Sequence, residues 1–298
     1  MDISFFYNHQ IEYSSFYKET FRNLAASKLK ELNFNGFKYV LQLNPGRIKS
    51  STANINKPLD QSRCFLCRPN MPEYQLGMDY NKDFTLFVNP YPILKKHLTI
   101  VSKLHTPQTI QNNITTMLEL AKDLENMVVF YNSPKSGASA PFHCHFQAGE
   151  ESDLPVFTEI DSMKKLYTVN QNDFVTKIND GTRRFLVIEN DDIQEATKKA
   201  EEILNKVNKI YNTTEPETNI GIVFKQKIYR IIVFPREKHR PDEYFRTDES
   251  RILVSPGFAD MAGIIPCSYP PNFESITKKD IQSIMNQVSI SEENFDKI

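Results

Sequence analysis

The segment Phe142-His-Cys-His-Phe-Gln147 sets two histidines and a glutamine at alternate positions. In a strand, residues two apart face the same way. His143, His145 and Gln147 would then line one face at intervals of about 6.6–6.8 Å, with Phe142, Cys144 and Phe146 on the other. One face is left for chemistry and one for packing. A neutral imidazole attacks a phosphoanhydride well when its second nitrogen is tied to an acceptor that fixes the tautomer, and His145, central in the trio, is the candidate nucleophile. Attack at an α-phosphorus expels a phosphate-type group whose anion is already stable, so a neutral amide suffices beside it. Gln147 can donate to a non-bridging oxygen in the transition state, but it is a poor general acid. That favours transfer to another phosphate over hydrolysis. The competing reading, a strand with two incidental histidines, is weakened by what comes just before it.

That preceding loop, Asn132-Ser-Pro-Lys-Ser-Gly-Ala-Ser139, offers backbone N–H groups, hydroxyls and one cation. The composition suits phosphate binding, with Asn132, Lys135, Ser136, Gly137 and Ser139 as candidates, although small polar loops are commonly plain turns and Lys135 could be solvated. Cys64-Phe-Leu-Cys67 has the spacing of a zinc knuckle; reduced thiols are the blander alternative. A thioredoxin-like pair is disfavoured, because it does not open a helix after a buried strand. His97, at the head of His-Leu-Thr-Ile-Val, reads as a residue that packs or hydrogen-bonds locally rather than one that catalyses. His239 lies among Arg236, Lys238 and Arg240, a run that is either a solvated basic turn or a contact for substrate phosphate.

The elements that must position these groups follow from periodicity. Helical spacing over residues 15 to 34 leads to a strand at 37 to 43, stopped by Asn44-Pro45-Gly46. Strands are expected at 84–88 and 97–101, a helix at about 107–126, then Met127–Asn132 and the histidine strand. From about residue 181 the order recurs: a strand, a charged helix over 192–211, and strands at 219–225 and 227–235. A degenerate duplication would put Tyr229, Ile231 and Val233 where the first half has His143, His145 and Gln147 and leave the second copy structural. The fold class is α+β, mainly antiparallel sheet with flanking helices. An N-terminal half over 1–150 carries the motifs, and a C-terminal half over 151–298 is mainly structural and substrate-contacting. The acidic stretch at 151–180 reads as a linker, and 276–291 as a surface helix.

At 298 residues the chain can bury a large core without staples. Lys plus Arg number 36 against 37 Asp plus Glu, which gives no ground for a nucleic-acid partner. No window reaches the roughly 18 apolar residues of a membrane span, and the start lacks a signal-peptide pattern. Four unevenly spaced cysteines make no disulfide framework. A cytoplasmic protein is expected.

The combination of Cys-x-x-Cys, a strand ending near a histidine, and the run from Asn132-Ser133 through Gly137-Ala138-Ser139 to His143-x-His145-Phe146-Gln147 resembles the galactose-1-phosphate uridylyltransferase branch of the histidine-triad superfamily. His-Cys-His-Phe-Gln-Ala and the later Phe258-Ala-Asp-Met-Ala-Gly resemble the GDP-hexose phosphorylases within it, and the loop resembles that of diadenosine tetraphosphate phosphorylases. The resemblance is carried by residues 44 to 150. It implies a histidine-triad-like fold and a structural zinc held by Cys64, Cys67, His105 and His143, bracing the strand rather than acting on substrate. It implies a nucleotidylated His145, a Gln147 that holds the phosphate, and an Arg47 brought toward a phosphate. The activity implied is a nucleotidyltransferase or phosphorylase that takes a nucleoside monophosphate from a nucleoside diphosphate sugar, with inorganic phosphate or a sugar phosphate as acceptor. Three alternatives stand beside it: a dinucleoside polyphosphate phosphorylase, a zinc-braced nucleotide-binding protein without turnover, and a histidine-triad hydrolase, disfavoured because Gln147 replaces the third histidine. A homodimer is compatible with all of them.

Overall fold

The computed structural model describes residues 2–47, 63–172 and 174–298, apart from the side chain of Arg47. Its centre is a ten-stranded sheet, every neighbouring pair antiparallel. The N-terminal half supplies β3 (Gly77–Asp79), β4 (Phe84–Val88), β5 (Leu98–Ser102), β6 (Met127–Asn132) and β7 (His145–Glu150). The C-terminal half supplies β8 (Thr168–Gln171), β9 (Val175–Asn179), β10 (Arg184–Asn190), β11 (Thr218–Lys225) and β12 (Ile228–Pro235). The strand order is β3-β4-β5-β7-β6-β11-β12-β10-β9-β8, so the halves meet where β6 pairs with β11, Asn132 opposite Asn219. Both central strands are buried on both faces over most of their length, as the unbroken apolar run of Met-Val-Val-Phe-Tyr demands. Each half is built of three strands, a helix and two further strands, with α3 (Ile114–Asp123) in the first and α5 (Ile193–Tyr211) in the second.

The two helices cover one face. Ala196, Ala200, Ile203, Leu204 and Val207 form a stripe along α5 and pack with Met117 and Leu118 of α3 on Tyr131, Phe146, Ile220, Ile231 and Val233. The Asp192 side chain caps α5 by accepting from the Gln194 and Glu195 N–H groups, and left-handed Asn212 ends it. On the opposite face lies a second sheet of β1 (Leu29–Asn33), β2 (Lys38–Leu43) and β13 (Ile264–Cys267), with α4 (Pro155–Tyr167), α6 (Phe258–Met261), α7 (Pro270–Ser275) and α8 (Lys278–Val288). Phe157, Phe258 and Met285 from this layer meet Phe130, Ile232 and Phe234. Helices α1 (Ile3–Tyr13) and α2 (Ser15–Ala25) cross the N-terminal half, where Tyr17 Oη donates to the Val88 carbonyl at 2.9 Å. Helix α9 (Glu292–Asp296) closes the chain.

Several expectations are corrected. The helix expected to run to residue 34 stops at Ala25, and Leu29–Asn33 pairs with β2 instead. The supposed linker at 151–180 holds α4, opened by Pro155 where a helix lacks an N–H partner anyway, and two strands. The helix expected from 107 starts at Ile114, after Asn112 takes a left-handed conformation with φ 64°. The register of the duplication is off by one residue. Gln147 stands opposite Phe130, Phe130 opposite Gly221 and Gly221 opposite Ile232, so the second-half positions on the site face are Arg230, Ile232 and Phe234. Tyr229, Ile231 and Val233 point to the helices with Phe146. A one-residue slip exchanges the faces of a strand, and two apolar sets side by side hide it in the sequence.

Candidate active site

Strand β7 begins at His145, so only His145 and Gln147 share its regular face; His143 lies in the bend just before it and not in the strand, as periodicity alone suggested. The bend turns His143 toward the cysteine knuckle. Its Nδ1 lies 3.3 Å from Cys64 Sγ and 3.6 Å from Cys67 Sγ, while His105 Nδ1 lies 3.2 Å from Cys67 Sγ. One donor atom from each of the four residues falls within 4.8 Å of all the others. Four ligands at about 2.0–2.3 Å from a tetrahedral zinc stand roughly 3.3–3.8 Å apart, so the donor set and its spacing fit the ion. His143 Nε2–H donates to the Ser102 carbonyl at 2.8 Å, which fixes the ring and leaves Nδ1 as the ligating nitrogen. Such a centre would tie the knuckle, the segment after β5 and the start of β7 together.

His145 is buried, and its Nδ1–H donates to the His143 carbonyl at 2.8 Å, which leaves the lone pair on Nε2. Burial pushes the imidazole down to about 4, against the smaller opposing effect of that hydrogen bond. The His145 backbone is held at both ends by buried Gln108, whose Oε1 accepts from the His145 N–H at 2.8 Å and whose Nε2 donates to the His145 carbonyl at 3.0 Å and the Asn132 carbonyl at 2.9 Å. Gln147 is oriented from behind. His97 Nδ1 accepts the Ile93 N–H at 3.1 Å, so its Nε2 carries the proton and donates to Gln147 Oε1 at 2.9 Å. The amide nitrogen, a pure donor, is then the polar atom Gln147 brings to the cavity.

His145 and Gln147 line a cavity of about 610 Å³. One wall is aromatic, with Phe16, Phe65, Tyr74, Phe87 and Tyr91; the other brings in Asn132, Gly137, Ser139, Ser255 and Gly257. Of the loop candidates, Asn132, Gly137 and Ser139 reach this lining. Gly137 has φ +98° and lies so close to Gly257 that an added Cβ would sit 2.6 Å from its Cα, a contact only glycine permits. Ser136 is buried and donates with Ser133 to Glu217 Oε2, at 2.9 and 3.2 Å, which makes it a brace for the loop. Lys135 is exposed and is not among the lining residues. Arg47 ends a short 3₁₀ turn, Pro45–Arg47, and its side chain lies outside the described residues. Phe258 stacks on Phe130 with ring centres 5.0 Å apart, and its N–H reaches Asn132 Oδ1. An added Cβ on Gly221 would meet the Phe258 ring at 2.0 Å.

Sequence reasoning missed Gln108, and for His97 it left packing and local hydrogen bonding open, without the contact to Gln147. Neither belongs to a spacing motif. The register of Thr99 opposite Gln147 is what brings His97 near that amide.

Family models match the two halves of the chain separately, and the fold as a whole is that of a solved Ap4A phosphorylase. Residues 157–298 match the family described as GDPGP1-like, C-terminal domain, and residues 6–150 match a domain of unknown function, DUF4922. Among solved structures the chain is similar to yeast Ap4A phosphorylase Apa2 in complex with AMP, at 14% identity and a TM-score of 0.61 over 93% of this chain and 98% of that one. The same enzyme in complex with Ap4A gives 14% identity and 0.60 over 92% and 97%. An ADP-glucose phosphorylase from Arabidopsis thaliana with bound ADP-glucose gives 14% identity and 0.40 over 89% and 100%. At these identities the likeness is one of fold. No curated protein matches the chain in sequence.

Proposed function

We propose that the chain is a nucleotidyltransferase of the phosphorylase type working through a covalent nucleotidyl-His145 intermediate. The donor is a nucleoside diphosphate sugar and the acceptor inorganic phosphate or a sugar phosphate. The observation that carries this is the pair of fixed tautomers: His145 with its Nδ1–H on the His143 carbonyl, and His97 turning the Gln147 amide nitrogen to the cavity. In the first half-reaction Nε2 bonds to the α-phosphorus, and the phosphoanhydride P–O bond breaks with its electron pair on the leaving phosphate. The positive charge gained by the ring is met by the His143 carbonyl through Nδ1–H, and the Gln147 amide donates to a non-bridging oxygen. In the second half-reaction an acceptor phosphate oxygen bonds to phosphorus and the P–N pair returns to Nε2. Gln147, which stands beside the reacting nitrogen where an acid would be needed to protonate a leaving group, is a poor general acid, which supports transfer over hydrolysis.

Zinc would be held by Cys64, Cys67, His105 and His143, and with four protein ligands it would supply bracing of the site, not Lewis-acid chemistry. Asn132, Gly137 and Ser139 support the reading of the 132–139 loop as a phosphate-side wall. Among the described residues no helix is long and apolar enough to cross a membrane, and the thiol-rich centre suits a reducing, cytoplasmic setting. A second reading, with a dinucleoside polyphosphate as donor, uses the same residues. It is favoured by the likeness in fold to Ap4A phosphorylase over nearly the whole chain. Side-by-side turnover of the two donor types separates them. For either donor, initial rates against donor and acceptor are expected to give parallel double-reciprocal lines; intersecting lines would remove the covalent route.

A further inference from the structure

A substrate with two or more phosphates brings several negative charges to the cavity, yet among the described lining residues the one cation is Arg240. Its Nε donates to Ser255 Oγ at 2.9 Å and its guanidinium lies 4.2 Å from the centre of the Tyr244 ring. His239 lines the same wall, with Nε2 3.4 Å from Ser255 Oγ. Asp260 also reaches the lining, where its Oδ2 accepts the Gly257 N–H at 3.0 Å.

Behind the wall Arg236 is fully buried, and its five N–H donors have five partners, none of them a carboxylate. Nε reaches the Val288 carbonyl at 3.0 Å, Nη1 reaches Asn219 Oδ1 and the Pro256 carbonyl, and Nη2 reaches the carbonyls of Lys238 at 3.3 Å and His239 at 3.2 Å. One guanidinium therefore pins the 238–240 turn and the segment leading to Gly257. Through Asn219 Nδ2, which donates to Asn132 Oδ1 at 2.7 Å and the Ser136 carbonyl at 2.6 Å, it also pins the loop beside His145. Burial lowers Arg236 to about 10, which still leaves it cationic at neutral pH. A second positive charge thus stands behind Arg240. Burial and the two arginines push His239 down to about 4, and an arriving anion would relieve part of that repulsion.

We propose that Arg240, His239 and Ser255 form the subsite for the phosphate that is not transferred, with Arg236 as its positioning residue. The inference rests on the nucleotidyl-transfer reading. Nε2 and the leaving oxygen stand on opposite sides of the α-phosphorus, so the leaving phosphate of the first half-reaction and the acceptor phosphate of the second share one place. Arg240 there meets the charge that develops on the departing oxygen as the P–O bond breaks, and it orients the acceptor before the P–N bond breaks. The C-terminal half would thereby set how many phosphates the donor must carry.

The test needs no turnover. Dissociation constants of AMP against ADP, of GMP against GDP and of UMP against UDP are measured on the full chain for wild type, Arg240→Gln and His239→Gln, each checked for an unchanged Tm. In wild type at least one diphosphate is expected to bind more tightly than its monophosphate. In Arg240→Gln that advantage should shrink by roughly ten- to a hundred-fold while the monophosphate affinity holds. If Arg240→Gln does not fold, His239→Gln is held to the same prediction at about tenfold. A folded variant that keeps the diphosphate advantage, or loses monophosphate affinity in step, overturns the subsite and leaves the covalent reading standing. Binding of none of these six nucleotides to wild type overturns both.

Discussion

The two halves of the sheet use one scaffold for different ends. On β7 the face opposite the helices carries His145 and Gln147; on β12 the same face carries Arg230, Ile232 and Phe234, and the last two are sealed under Phe258 and Met285. The metal-ligand cluster belongs to the first half alone among the described residues. What the second half adds comes after its last sheet strand, where the 236–240 turn and the 252–260 segment fold back over the first half's site. With the same element order, one half places His145 and Gln147 on the cavity and the other fills the core and builds a wall. Filling a face and equipping it are thus alternative uses of the same strand positions.

The comparison breaks most plainly at Phe234, fully buried on the second-half face. Phe234→Ala should cost about 3–5 kcal/mol in denaturant unfolding. Any remaining folded protein should still form the covalent intermediate; a loss of intermediate without a loss of stability would mean that the second face is chemical after all. Gln147→Ala asks the converse on the first face. It should lower kcat by about 10²–10³-fold through the lost oxyanion donor, with little change in Tm. A kcat near that of wild type would make Gln147 a packing residue. The finer step is His97→Ala, which keeps the Gln147 amide but removes the donor that orients it. Turnover should fall by about ten- to a hundred-fold, with the loss in kcat rather than in nucleotide binding. Equal losses in both would point to collapse of the cavity.

What could be read in advance follows the same division. His143, His145 and Gln147 sit within five residues, and Cys64 with Cys67 within four, so local spacing exposed them. The groups that hold them arrive from far along the chain. Gln108 clasps His145 from 37 residues away, and the Arg236 contact to Val288 spans 52. No periodicity records such pairings. The α+β class and the recurrence of strand, helix, strand, strand were legible because apolar alternation marks those elements, whereas β8 and β9 lie in the stretch whose acidic composition reads as a linker. The register of the second copy was not, since Tyr229, Ile231 and Val233 are as apolar as Ile232 and Phe234, and only the pairing with β11 tells the two faces apart. Lys135 drew attention as the single cation of its loop, but it is exposed, and the charge in the cavity wall comes from Arg240, in a run whose commoner meaning in sequence is a solvated basic turn.

The central claim is the bond to His145. Zinc-replete full-length protein would be mixed, without acceptor, with UDP-, GDP- and ADP-sugars and with diadenosine tetraphosphate in separate tubes, and its intact mass measured beside His145→Ala. The account predicts an acid-labile gain of one nucleoside monophosphate with at least one donor, absent in the variant. Turnover of any of these donors without such an adduct, or an adduct that persists in His145→Ala, would contradict it.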